Sequence, residues 1–164
     1  MKKLPALRWL NQGCMIVAAF WALMLAVNIT ADVIGRGAFN RPLTGTVEII
    51  THSIVMIVFL QLPYAVSSSS MLKADFILEA LPPFLRRIVG VFNPILGACL
   101  FGLVVLGAIE PMTQAYVRHE YEGEGALRVS IWPVYAVIVF GSALTTINYL
   151  VHATNAVFSR KEDQ

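Results

Sequence analysis

Few side chains in this sequence could do chemistry. His52 and His152 lie in separate apolar stretches and could, in principle, ligate one haem iron. Cys14 and Cys99 are far apart and form no CxxC pair, so neither dithiol redox chemistry nor a thiolate metal site follows; both are read as packing residues. The run His119-Glu120-Tyr121-Glu122-Gly123-Glu124 offers carboxylates for a divalent cation, but one short acidic turn reads as a solvated loop. Asn28, Asp32 and Arg36 follow one another at i, i+4, the spacing of one helical face, and Glu48 and His52 repeat it. No catalytic constellation, no metal set and no cofactor-binding motif is read from these residues, and no enzyme activity is expected.

The elements that hold these residues explain the scarcity. Of 164 residues, 57% are hydrophobic and 13% charged, about half the charged fraction of a soluble domain. That leaves too little polar surface for an aqueous globule, and a net charge of +2 suggests no nucleic-acid partner. The charges divide the chain into uncharged runs of 23 residues (Arg8 to Asp32), 24 (Glu48 to Lys73), 22 (Arg87 to Glu110) and 31 (Arg128 to Arg160). About 20 helical residues cross a hydrocarbon core, so each run spans once and none spans twice. Without water to bond the peptide groups, each must be helical. The fold class expected is an all-α membrane protein, one domain over residues 1–164, with four transmembrane helices near 10–31, 49–66, 88–109 and 131–152. The first apolar stretch is longer than a signal-peptide core and is expected to stay as a span.

Four spans put both termini on one side. That side carries Lys2, Lys3, Arg8, Lys73, Arg86, Arg87, Arg160 and Lys161, against Arg36, Arg41, Arg118 and Arg128 opposite. The positive-inside rule then places both termini in the cytoplasm and leaves Glu110, Glu120, Glu122 and Glu124 in an outer loop. Between the second and third spans, apolar residues recur at helical spacing opposite Lys73, Asp75, Glu79 and the Arg86–Arg87 pair. An amphipathic interfacial helix is expected at about 71–87, interrupted at Pro82–Pro83. This topology also removes the haem. His52 falls near the outer end of the second span and His152 at the inner end of the fourth, roughly 25–30 Å apart along the membrane normal.

No Asp, Glu, Lys or Arg falls inside any expected span, although such residues mark ion and substrate paths in carriers. Gly141, Thr145, Asn148 and His152 do form a stripe of small and polar side chains on the fourth helix. Such stripes let helices approach closely and bond across the contact, either within a bundle or against a membrane partner. The i, i+4 pairs near the first outer loop, Asp32–Arg36 and Glu48–His52, admit two readings: surface-level pairing worth under about 1 kcal/mol, or Glu48 and the loop arginines orienting the helix pair against another subunit.

The stretch Asp32-Val-Ile-Gly-Arg36-Gly-Ala-Phe-Asn40-Arg41-Pro42-Leu-Thr-Gly-Thr-Val-Glu48 resembles the first outer loop of the DctQ-type small membrane subunit of tripartite ATP-independent periplasmic (TRAP) transporters. The similarity continues through the second helix into Met71-Leu-Lys-Ala-Asp75 and returns at Ile131-Trp132-Pro133-Val-Tyr135. One departure is Met71, where members often carry histidine. The resemblance implies a scaffold subunit in the bacterial inner membrane. Its partners would be membrane lipid, a large TRAP membrane subunit that moves an organic acid with sodium, and a periplasmic substrate-binding protein. On this resemblance Asp32, Arg36, Asn40, Arg41 and Glu48 are structural and interface residues; His52 and the stripe Gly141, Thr145, Asn148 are candidates for the same interface. The alternative is an independent four-helix carrier or channel working as a homo-oligomer.

Overall fold

The structure is a computed structural model that describes residues 5–40, 45–68, 82–122 and 129–158. It contains four long helices, α1 (Pro5–Phe39), α2 (Thr46–Ser67), α3 (Pro83–Val117) and α4 (Trp132–Phe158), with a two-stranded ribbon between the last two. All four are long and apolar enough to cross a membrane. The expected spans lie inside them, apart from Ile131, which forms the turn before α4.

Local chemistry sets the ends. Helix α1 runs past the uncharged stretch and stops where Asn40 takes a left-handed φ of 49°, a conformation Asn tolerates better than most residues. Gly45, with φ of 86°, opens α2 and accepts the first backbone bond from Ile49. At the other end of α2, the Tyr64 carbonyl accepts from the Ser68 N–H and also from the hydroxyls of Ser67 and Ser68. Pro82 caps α3 and Pro83 begins it, where the missing N–H costs nothing.

Two boundaries differ from expectation. Residues 83–87 form the first turns of α3 instead of closing an interfacial helix; residues 69–81, with Lys73, Asp75 and Glu79, lie outside the described residues. At its far end α3 passes through Glu110 and continues to Val117, so Glu110 is a helical residue and not a loop residue. The apolar pattern resumes after Glu110 with Met112, Ala115, Tyr116 and Val117, which carries the helix two turns further. Beyond it, β1 (Tyr121–Glu122) pairs antiparallel with β2 (Val129–Ser130), Tyr121 opposite Ser130.

The extensive helix contacts are α1 with α2, α2 with α4, and α4 with α3. Helices α2 and α4 therefore sit centrally and α1 and α3 flank them. Small residues make the close approaches possible: Ala18 and Ala115 are fully buried, and Ala98 and Ala108 nearly so. Buried residues on α1 are Asn11, Cys14, Ala18, Leu25 and Asp32, all on one seam of alternating three- and four-residue steps. The outward faces of α1 and α3 carry exposed Ile, Leu, Val and Phe, as helices bordered by lipid require.

Candidate functional site

Polar side chains buried in an apolar helix array favour partners there, and apart from Ser142 Oγ and Asn28 Oδ1, which have none among the described residues, the bonded ones described below cluster at two levels. The first joins three helices. Asn11 of α1 donates through Nδ2 to Oδ1 of Asn148 on α4 at 2.9 Å, and Asn148 Nδ2 returns the bond to Asn11 Oδ1 at 3.2 Å. Asn148 Nδ2 also reaches the Leu144 carbonyl at 2.9 Å and the Pro63 carbonyl of α2 at 3.3 Å. Asn11 and Asn148 are both buried, so the two amides form a clasp closed to solvent.

One turn away along α2 and two along α4, backbone geometry sets the contact. Pro63 lies inside α2 and has no N–H, so the carbonyl of Phe59 loses its helical donor. That carbonyl rests against Gly141 of α4, where a methyl group would collide with it. Only glycine lets the two backbones approach this closely. Thr145, also buried, donates its hydroxyl to the Gly141 carbonyl at 2.7 Å. Toward α3, Tyr149 of α4 stacks on Phe101 with ring centroids 6.0 Å apart and lies over Gly97, where a side chain would meet its ring.

The second level is at the other end of the α1 seam. Asp32 is buried and its carboxylate pairs with Arg36 Nη2 at 2.6 Å, while the guanidinium is half exposed. His52 is buried, and its Nδ1 lies 2.7 Å from the Glu48 carbonyl; the imidazole donates there when Nδ1 carries the proton. Glu48 itself is partly exposed in the first turn of α2, where a carboxylate complements the helix dipole. Thr46 is buried beside it in sequence. Asn40 ends α1, and Arg41 lies outside the described residues. From Asn11 to Asp32 is 21 residues, about 31 Å of helix, close to the thickness of a hydrocarbon core. The polar groups therefore bracket the apolar seam at its two ends.

These placements add to the sequence reading. On α4, Gly141 meets the α2 backbone and Asn148 bonds α1 and α2, and with Thr145 both are buried by the chain's own packing. The sequence motifs do not include Asn11 or Pro63, yet both complete the clasp. The available signal was phase: Asn11 falls on the same seam as Cys14, Ala18, Leu25 and Asp32. Among the described residues no three His, Cys, Asp or Glu side chains are placed to hold a metal ion.

An array of helices locked by amides and close backbone contacts is built to hold shape in a bilayer. The family of tripartite ATP-independent periplasmic transporters, DctQ component, matches residues 24–158 of the chain. The chain belongs to this family. It is also similar to the ectoine TRAP transporter small permease protein TeaB of Halomonas elongata, with 29% identity over 148 residues, 88% of this chain and 74% of that protein. No solved structure matches. A DctQ component is a small permease subunit of a TRAP transporter, so the chain is a transport protein of the membrane and its family is not one of enzymes. The match takes in Asp32, Glu48, Gly141 and Asn148, but begins after Asn11.

Proposed function

We propose that this chain is the scaffold subunit of a sodium-coupled, binding-protein-dependent TRAP transporter for an organic acid. In this reading it lies in the inner membrane with both termini cytoplasmic. It holds a large membrane subunit that carries the substrate, and a periplasmic binding protein delivers that substrate.

One observation carries the reading. Each expected span is free of Asp, Glu, Lys and Arg, and the clasp near one end of the seam bonds its own helices together. The carboxylates that α1 and α3 do carry, Asp32 and Glu110, lie toward one end of each helix, so a charged solute or coupling ion meets no ionisable partner at mid-depth. Translocation then requires another subunit. The outer polar residues Asp32, Arg36, Asn40, Arg41, Glu48 and His52 serve, in this proposal, to fix the α1–α2 connection that the assembly rests on.

The test is reconstitution. Vesicles containing this chain, the large subunit or both are supplied with the binding protein, a sodium gradient and labelled organic acids, with ectoine included because the TeaB relative is named for it. Uptake is expected only with both membrane subunits present. Substrate-specific flux from this chain alone would overturn the proposal in favour of an independent homo-oligomeric carrier or channel.

A further inference from the structure

The two flanking helices expose similar apolar areas but differ in one respect. On α3, Phe92, Leu96, Cys99, Leu103, Leu106 and Glu110 follow one another at steps of four and three, and all six are exposed. Leu103 and Leu106 are the barest, at 64% and 70%. A shallow groove lined by Leu96, Cys99, Leu100, Leu103 and Val104 runs along this line. The corresponding line on α1, through Ile16, Phe20, Leu23, Val27 and Ile34, is equally exposed but contains no ionisable group. That composition suits lipid.

Glu110 does not suit lipid. Six residues beyond it, Tyr116 packs edge-on against Trp132 of α4, with centroids 5.8 Å apart and both rings exposed. Paired exposed aromatics at one end of two spans mark the headgroup level. Glu110 then lies about 9 Å deeper along the helix. Glutamate lacks the long stem by which Lys and Arg reach headgroups from such a depth. Among the described residues its carboxylate is paired with no cation; it accepts a hydrogen bond from Gln114 Nε2 at 3.1 Å. A carboxylate facing lipid below the headgroup level is unfavourable without a partner.

The geometry points to the Phe92–Glu110 face of α3 as the docking surface for a transmembrane helix of the large subunit. The partner helix would carry small or apolar residues opposite Leu96–Leu106 and a Lys or Arg opposite Glu110. Complementary charge fixes the register of the two helices, and the heptad spacing lets the leucines seat as knobs between partner side chains. This inference rests on the scaffold reading above for the identity of the partner.

The test uses the full complex in its native membrane. A photoreactive benzoylphenylalanine replaces Leu103 on α3 or, as a control, Leu23 on α1. Position 103 is expected to give an adduct with the large subunit, and position 23 to give none. Glu110→Lys should lower recovery of the large subunit at least tenfold while this chain still inserts, and Glu110→Gln should lower it less. An adduct from 23 instead of 103 overturns the inference, as does a 103 adduct with a second copy of this chain, or unchanged recovery with Glu110→Lys. If the wild-type chain recovers no large subunit at all, the scaffold reading falls as well, which separates the two failures.

Discussion

Asn11 and Asn148 exchange hydrogen bonds in both directions, at 2.9 and 3.2 Å, across 137 residues of sequence. This contact joins the first helix to the last, and through the Pro63 carbonyl it includes the second. In hydrocarbon an unpaired amide has no water to turn to, so the pair specifies one register of α1 against α4.

Replacing either asparagine alone with leucine should destabilise the chain by about 1–2 kcal/mol, because the other amide stays buried without its partner. The double substitution should cost less than the sum of the singles. A double-mutant cycle measured by thermal or SDS unfolding in detergent checks this. Additive singles would mean the clasp contributes nothing as a pair.

Gly141→Ala should be costly and Gly102→Ala nearly neutral. A methyl at Gly141 collides with the Phe59 carbonyl, whereas nothing lies within 4 Å of one at Gly102. Backbone on both sides gives little, so Gly141→Ala is expected to lose about 1–3 kcal/mol as an overpacked contact. Folded yield and unfolding midpoint of the two variants, side by side, decide it.

The Asp32–Arg36 pair is asymmetric. Asp32 is buried and Arg36 is half exposed, so the carboxylate depends more on its partner than the guanidinium does. Arg36→Lys should be tolerated, since a solvent-reaching cation persists. Arg36→Ala should destabilise the α1–α2 end by about 1–3 kcal/mol, below the cost for a fully buried pair because water reaches one partner. Unfolding midpoints of the two variants at equal salt measure the difference.

The two cysteines report packing directly. Cys14 is buried on the α1 seam and Cys99 is exposed on the outward face of α3. In mild detergent a small apolar maleimide should label Cys99 at least about tenfold faster than Cys14, with the rates converging after denaturation. Equal rates in the folded chain would show that α1 is not docked as described.

Much of this fold is legible in the sequence. Charge spacing alone marks four spans, because burying an ion in hydrocarbon is costly enough to clear those stretches. The Asp32–Arg36 pair was also legible, since i, i+4 spacing on a helix is a local pattern. The small and polar stripe on α4 was visible as a stripe, but its direction was not. Whether Gly141 and Asn148 look inward depends on Pro63 and Asn11, which lie on other helices at distances no local periodicity encodes. The end of α3 was misplaced for a related reason. Glu110 reads as the start of a loop when charge is taken as the boundary, yet the apolar pattern on its far side carries the helix on to Val117.

The lateral order of the helices has a consequence for biosynthesis. Helix α4 leaves the ribosome after α1, α2 and α3, yet it lies between α2 and α3, which make no extensive contact of their own among the described residues. A nascent chain halted before Trp132 holds a hairpin of two spans and a third adrift beside it. Tertiary assembly of these helices waits on the insertion of α4, and products truncated before it, lacking that wedge, are left open to membrane proteases.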